Sequence, residues 1–460
     1  MENYQMVLPE TLGDESFKKD YGIKYAYVTG SMYRGISSKE LVVKLGKSEL
    51  LGFFGTGGLT MDEIEKNIVD IQSELVNGQN FGVNLLANMN APQKEEAEVD
   101  LFLKHKVKFI EASAFMQITP ALVKYRVKGL ARDKDGIVYS KNKIMAKVSR
   151  PEIASIFLHP VPETIARNLL KEGKISDEEF AMSKSMPMCD DLCAEADSGG
   201  HTDQASPYTL LPSIIRLRDE IVEKYGYTAK IRVGAAGGIG TAEAAAAAFI
   251  LGADYILTGS INLCTVEAGI SDDVKDMLQI MNIQDTAIAP SGYLFEMGSK
   301  VQVLNKGTFF PARAQKLYDL YQRYNSLDQI PEKTKKQIQD KYFGSTFEEI
   351  YNEVKKYYID KNTRQIEKAE KNPKHKMAMV FKWYFRETTK LSLKGDKNNR
   401  VNYQVHCGPS LGAFNQSVKS SQLEDWRKRH VHHIAEKLMS ETAELLNQRF
   451  NQIMHKSARK

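Results

Sequence analysis

The sequence predicts an α/β protein built on a closed (β/α)8 TIM barrel, with a helical insertion after strand five and a mostly helical C-terminal region. Three observations carry that prediction. The first 260 residues alternate short apolar runs with amphipathic helical patterns, as a parallel α/β fold does. Eight strand-like runs can be counted, several of them continuously apolar as in strands buried on both faces. The last two runs end in glycine-rich segments, where barrel enzymes commonly bind phosphate. The alternation alone also fits an open doubly wound sheet, but the count of eight favours closure.

In chain order the strands fall at 25–29, 50–54, 81–85, 107–112, 144–148, 191–196, 231–235 and 255–258. Amphipathic segments at 38–45, 61–75 and 211–225 lie between them, with Ser37 or Ser38 and then Thr60 as N-caps. The connection 151–188 is too long for a simple loop and carries helical patterns at 162–171 and 176–185. An insertion of that length over a barrel mouth reads as a lid or a partner surface. After about Gly269 the composition shifts, so residues 1–270 are expected to form the barrel and 271–460 a substrate-binding and helical region. Within the latter, a hairpin is predicted over 300–310, turning near Asn305-Lys306-Gly307. The charged stretch 332–372 reads as solvated helix, as does a final helix over 423–450 with His430, His432 and His433 on its surface.

A chain of 460 residues exceeds what one core usually supports, and 42% hydrophobic with 26% charged residues is ordinary for a globular protein. A net charge of +5 is too small to argue for nucleic-acid binding and gives only a mild preference for an acidic partner. Cys189, Cys193, Cys264 and Cys407 are too few for a disulfide framework; no second pair or histidine cluster completes a metal site around the first two, and small buried hydrophobes are the better reading. The polar, acidic N-terminus has no secretion-signal pattern. No run reaches the roughly 18–20 apolar residues that a bilayer requires. A cytoplasmic protein without membrane or nucleic-acid partners is expected.

The chemistry is carried by the loops at the strand ends. Strand seven ends in Ala235-Ala236-Gly237-Gly238-Ile239-Gly240, and Thr241 then opens an alanine-rich helix. Glycines let the backbone approach an anion, and a helix N-terminus supplies N–H groups and a positive dipole. Strand eight ends in Thr258-Gly259-Ser260, a second loop able to donate N–H groups, so the two form a phosphate pincer. A dinucleotide fingerprint is the rival reading, yet it belongs in a first βαβ unit with an acidic residue about 20 positions on. The plainer alternative is that the glycines serve only tight turns. Thr29-Gly30-Ser31-Met32 and Gly55-Thr56-Gly57-Gly58 end strands one and two with small residues that let a flat ring lie against backbone. Asn84 on strand three can hydrogen-bond a flavin ring or ribityl chain, or else cap the next helix. Strands four and five end in Glu111-Ala112-Ser113-Ala114 and Lys147-Val148-Ser149. Strand six ends in Glu195-Ala196-Asp197-Ser198-Gly199-Gly200-His201-Thr202-Asp203, whose imidazole suits proton transfer, with Asp203, Asp197 or Glu195 to orient it.

The loops Gly199-Gly200-His201, Ala235-Ala236-Gly237-Gly238-Ile239 and Thr258-Gly259-Ser260 resemble the nitronate monooxygenase and FMN-dependent enoyl reductase superfamily. The resemblance is closer to the PfaD family, the trans-acting enoyl reductases of polyketide and polyunsaturated fatty acid synthases. It extends to Phe295-Glu296-Met297-Gly298, Val301-Gln302-Val303-Leu304, Phe310-Pro311-Ala312-Arg313-Ala314, Lys382-Trp383-Tyr384 and Tyr403-Gln404-Val405-His406-Cys407-Gly408-Pro409. The position before Cys407 is often Trp in that family and is His406 here.

The resemblance implies reduction of a 2-enoyl thioester on an acyl carrier protein, hydride passing from NADPH through FMN to the β-carbon. His201 is the candidate proton donor to the α-carbon. Gly30, Ser31, Met32, Gly57, Asn84, Lys147, Gly199, Gly200, Ala236, Gly237, Gly238, Gly259 and Ser260 are the expected cofactor-binding residues. Tyr293 and Phe295 would line an acyl channel or simply pack in a core. Basic residues of the insertion or tail would dock the carrier, and the tail offers enough surface for a homodimer. Two rival readings are a flavin oxidase of nitronates, with His201 as base, and a non-catalytic docking component of a synthase.

Overall fold

The computed structural model describes residues 6–88, 91–359 and 362–457. All eight predicted strands form, each within two residues of its expected bounds: β1 (Tyr27–Thr29), β2 (Leu51–Phe54), β3 (Gly82–Leu86), β4 (Phe109–Ser113), β5 (Lys143–Val148), β6 (Asp191–Glu195), β7 (Arg232–Ala236) and β8 (Ile256–Thr258). They close into a barrel in which every strand runs parallel to its neighbours. Closure is made by β8 on β1, with Tyr27 opposite Ile256 and Thr29 opposite Thr258. The predicted caps also form. Ser38 accepts the Leu41 N–H, and Thr60 and Glu63 make a reciprocal capping box.

The chain separates into two compact units, Met1–Asp197 with Asp203–Gly269 and Ser417–Lys460, and Ser198–Thr202 with Ile270–Gln416. The boundary expected at 270 therefore needs two changes. Five residues after β6 belong to the second unit, and the last helix (Val431–Ser457) belongs to the barrel unit, where it packs against the alanine-rich helix Ala242–Ile250. Small side chains at Ala245, Ala246 and Ala248 are buried along that helix.

In the barrel unit the helix Glu15–Tyr21 meets the N-terminal strand ends. Phe17 stacks on Tyr255 at 4.2 Å between ring centroids, and Tyr21 packs on Phe109 at 4.7 Å. Both rings join the core cluster formed with Val28, Leu51, Phe53, Met145, Cys193 and Leu257. The insertion contains three short helices, Pro151–Leu158, Glu163–Lys171 and Asp177–Ser183. A small hairpin, Leu130–Arg132 with Val138–Ser140, has no counterpart among the predicted elements; its turn signal is Asp133-Lys134-Asp135-Gly136, with Gly136 at φ +79°.

In the second unit, Lys300–Leu304 does not form the predicted hairpin with residues 305–310. It is the central strand of an antiparallel sheet, paired with Thr286–Pro290 on one side and Gly200–His201 on the other, while helix Phe310–Arg323 starts just beyond the Asn305-Lys306-Gly307 turn. Helices of this unit bury Phe310, Leu317, Tyr351, Phe381, Tyr384 and Phe385 in one cluster with Phe295, Val301 and Val303. The final helix of the chain also begins later than predicted, at Val431. Two short 3-10 turns precede it, and Arg429, expected on a solvated surface, is fully buried with its guanidinium donating to the Leu423 and Glu424 carbonyls.

All four cysteines are buried and unpaired. No helix among the described residues is long and apolar enough to cross a membrane.

Phe17→Ala removes a ring with no exposed surface from the closed end of the barrel. We expect a loss of about 3–5 kcal/mol, measured by chemical denaturation of the barrel unit within the full chain.

Candidate active site

The loops after β7 and β8 lie side by side because Ala235 pairs with Ile256 and Ala236 with Leu257. Gly237 and Gly238 both have left-handed backbone, at φ +82° and +74°. A Cβ on Gly237 would come within 2.6 Å of the Ala196 carbonyl oxygen, so the turn admits no side chain. At Gly238 and Gly259 the opposite holds: a Cβ would meet nothing within 4 Å, so both backbones face open space. Thr241 caps the next helix, and the loop after β8 is braced by Thr258, whose hydroxyl lies 2.6 Å from Tyr27 Oη and accepts from Asn262. The first loop joins them where the Gly30 N–H donates to the Thr258 carbonyl at 3.0 Å.

Deeper in the barrel, β4, β5 and β6 contribute Glu111, Lys147 and Glu195. Lys147 Nζ lies 3.3 Å from Glu111 Oε1 and 3.0 Å from Glu195 Oε1. Burial alone would discharge Lys147, but the charges of Glu195 and Glu111 outweigh it and push its pKa upward, so the ammonium is held. Glu111 is completely buried. Its Oε2 accepts the Ser31 N–H at 2.7 Å, whereas its Oε1 faces the Lys147 charge without an aligned hydrogen bond. Asn84 does not cap a helix; its amide donates to the Glu111 main-chain carbonyl and to Ser113 Oγ, both at 3.0 Å. Three of the residues that the sequence singles out, Ser31, Asn84 and Lys147, thus converge on Glu111. In the sequence Glu111 is only a strand end, and no local pattern distinguishes it; its role follows from the register of four neighbouring strands.

His201 belongs to the second unit, where Gly200–His201 adds to the sheet with Val301 opposite His201. Its exposed ring has Nε2 3.0 Å from Ser291 Oγ, which also accepts the Tyr293 N–H, and Tyr293 stands edge-on at 5.7 Å. Of the three acids expected to orient the imidazole, Asp203 is paired with Arg150 and Ser149, and Glu195 makes an ion pair with Lys147. Ser291, which lies 90 residues further along the chain, carries no sequence signal for this contact. Gly199 accounts for a distant motif. A Cβ there would reach 2.6 Å from the Cys407 carbonyl carbon, so the Gly199-Gly200-His201 loop and the Cys407-Gly408 segment can approach only as bare backbone. Of the two acyl-channel candidates, Phe295 is fully buried core, packed on Tyr318, Tyr321 and Phe385, while Tyr293 is 41% exposed.

The remaining motifs meet inside the second unit. Lys382 lies 3.3 Å from Glu296, and Phe310 stacks on Tyr384. No cluster of His, Cys, Asp or Glu among the described residues could hold a metal ion.

Two open glycine loops side by side after β7 and β8 of a closed parallel barrel are the arrangement in which barrel enzymes commonly bind phosphate groups. The family profile described as nitronate monooxygenase matches residues 15–293, and that of the acyl-carrier-protein S-malonyltransferase inserted helical domain matches 324–403. The chain is 55% identical over 451 residues to the polyketide biosynthesis protein PksE of Bacillus subtilis, covering 98% of this chain and 58% of PksE. It is 40% identical to a polyunsaturated fatty acid synthase component of Thraustochytrium, over 90% of this chain and 28% of that protein. The crystal structure of the enoyl reductase domain of MlnA, from the macrolactin cluster of Bacillus amyloliquefaciens, superposes with a TM-score of 0.93 at 50% identity, covering 96% of this chain and 99% of that one. The chain belongs to the PfaD branch of the nitronate monooxygenase superfamily.

His406, in the place where Trp was expected, lies within 2.7 Å of Gln404 through its Nε2 and is bridged to Val303. Burial, reinforced by the charge on His201, lowers its pKa to about 3. A histidine depressed in the fold binds its proton more readily when unfolded, so stability rises with pH between the two values. We expect the second unit to lose stability as pH falls from about 6.5 towards 3, and His406→Gln to flatten that slope in thermal melts run across the window.

Proposed function

We propose that the chain is a trans-acting enoyl reductase that reduces the α,β-double bond of a carrier-bound 2-enoyl thioester in polyketide or polyunsaturated fatty acid synthesis, with FMN and NADPH. One observation carries this reading: the likeness to the MlnA enoyl reductase domain, at 50% identity, runs over 96% of the chain. Because the chain spans 58% of PksE, the activity of the whole relative is carried over as a proposal.

The residues present fit a flavin mononucleotide. The open backbones of Gly238 and Gly259, with Ala236, Gly237 and Ser260, offer N–H donors to a phosphate, and the helix Ala242–Ile250 points its positive end there. Ser31 and Met32 are part-exposed candidates for the ring, whereas Gly30 and Gly57 are buried under Leu257 and Tyr33; Asn84 and Lys147 supply polar groups, and Gly199 and Gly200 are the remaining candidates. Bound flavin would supply the hydride carrier between NADPH and the β-carbon. The protein's own tasks are then to orient the thioester, exclude water and deliver a proton. His201 is the proton donor to the α-carbon, and Ser291 fixes its ring. Segment 324–403 carries eighteen Lys and Arg against eleven Asp and Glu, a net of +7 beside +5 for the whole chain, which suits an acidic acyl carrier protein. A second reading, oxidation of nitronates, has in its favour the match over residues 15–293, which includes His201 and both glycine loops.

Two measurements test this. With crotonyl-carrier protein, NADPH oxidation and product mass should show reduction, and His201→Ala should lower the rate by about 10²–10⁴-fold. A variant as fast as wild type removes His201 from the mechanism, and oxygen consumption with a nitronate but no NADPH oxidation favours the second reading. Gly237→Val should abolish retention of FMN, read from the visible spectrum of purified protein.

A further inference from the structure

The loop after β8 carries one jaw of the phosphate cradle, and its far end is tied to the tail of the chain. From Gly259 onwards the loop is short and internally bonded. The Asn262 N–H donates to the Gly259 carbonyl at 2.9 Å, the Asn262 amide to the Thr258 carbonyl and hydroxyl, and the Thr265 hydroxyl to the Asn262 carbonyl at 2.8 Å. Immediately beyond, the Val266 N–H donates to the Arg429 carbonyl at 2.9 Å. His430 Nδ1 lies 2.7 Å from one oxygen of the Glu267 carboxylate, and the Val431 N–H donates to the other at 3.1 Å. That carboxylate sits at the positive end of the final helix, where an acid is favoured.

The other side of the same segment is fixed by residues that follow β1. The Ser38 hydroxyl donates to the Glu267 carbonyl at 2.6 Å, and the Gly269 N–H donates to the Ile36 carbonyl at 2.8 Å. A Cβ on Gly269 would lie 2.3 Å from the Gly35 carbonyl oxygen, so the two backbones meet directly.

The final helix, Val431–Ser457, also reaches the second jaw, because it packs against Ala242–Ile250, the helix that follows the glycine turn after β7. It is anchored there independently of Glu267. Lys24 pairs with Glu436 at 2.7 Å, and the Asn447 amide exchanges two hydrogen bonds with the Val7 main chain. The tail therefore meets the elements that carry both jaws.

We infer that the C-terminal helix is a clip on the phosphate cradle, and that Glu267 and His430 are positioning residues that lock the Gly259–Ser260 jaw in place before the cofactor arrives. The inference rests on the flavin reading above. Backbone N–H groups bind an anion well when they are already aimed, and a loop that must be ordered on binding loses affinity. The lock acts on the grip of the phosphate and leaves the contacts of the ring unchanged.

The test is the affinity of the flavin-stripped full chain for FMN and for riboflavin, which lacks the phosphate, read by quenching of flavin fluorescence. Wild type, Glu267→Ala and His430→Ala are compared. Wild type should bind FMN more tightly than riboflavin. Both variants should lose about tenfold in FMN affinity and keep the wild-type affinity for riboflavin. In the flavin-free variants the amides of residues 259–263 should exchange hydrogen faster than in wild type. A purely structural role would lower the melting temperature and weaken both flavins alike, which overturns the inference. The His430 side chain is 38% exposed, so its variant decides the matter if Glu267→Ala fails to fold. Unchanged FMN affinity in the folded variants overturns the inference and leaves the flavin reading standing. Wild-type protein that binds neither flavin overturns both.

Discussion

The register in which β8 closes on β1 fixes where the loops after these two strands emerge at the C-terminal end of the barrel. Thr29 lies opposite Thr258, so the chain leaves both strands at the same height, and the Gly30 N–H is held by the Thr258 carbonyl. A slip of one residue would turn every side chain of β1 to the other face. Tyr27 would lose Thr258, and Thr258 is the brace of the loop that carries Gly259 and Ser260. The adjacent register of β7 on β8 sets Ala236 beside Leu257 and so brings the second glycine turn level with the first. The two loops are therefore brought level by strand register and then held by local contacts such as those of Thr258 with Tyr27 and Asn262.

Closure also explains why the two ends of the barrel are treated differently. The N-terminal end is filled by the rings of Phe17 and Tyr21, and Arg232 there is paired with Asp20 and Asp191. At the other end glycines replace side chains and a buried carboxylate oxygen lacks an aligned donor. The cost of that unsatisfied group is offset by the well-packed remainder of the barrel, as is usual where a fold keeps a binding surface.

Much of this was legible in the sequence, for identifiable reasons. Strands buried on both faces read as apolar runs, and Ser38 and Thr60 announce their helices because an N-cap is a local device. The glycine turns were legible for the same reason. The features that sequence reasoning misses depend on partners distant in the chain. Lys300–Leu304 looks like one arm of a hairpin because a good turn comes after it, yet its partners are Thr286–Pro290 and a two-residue strand a hundred positions earlier. Arg429 sits in a basic run that suggests solvent, but its guanidinium is committed to backbone carbonyls that only the folded tail presents. Glu111 and Ser291 belong to the same class, since each gains meaning from a residue on another strand or loop.

The histidine loop shows how a short segment is fixed by two separate bodies of structure. At its neck, in the barrel unit, the Asp197 N–H donates to the Ala205 carbonyl, and Asp203 is clamped by Arg150 and Ser149. The arginine and serine beside Asp203 hold its pKa below the usual carboxylate range, so the clamp persists through neutral and mildly acidic pH. Its middle, residues 198–202, is held in the second unit by strand pairing with Val301 and Gln302 and by the bare-backbone approach of Gly199 to Cys407. An imidazole on an ordinary exposed loop would sample many orientations. Here both the main chain and, through Ser291, the ring have fixed partners. The motif around Cys407 thus serves His201 by shape, because only glycine at 199 allows the two backbones to meet.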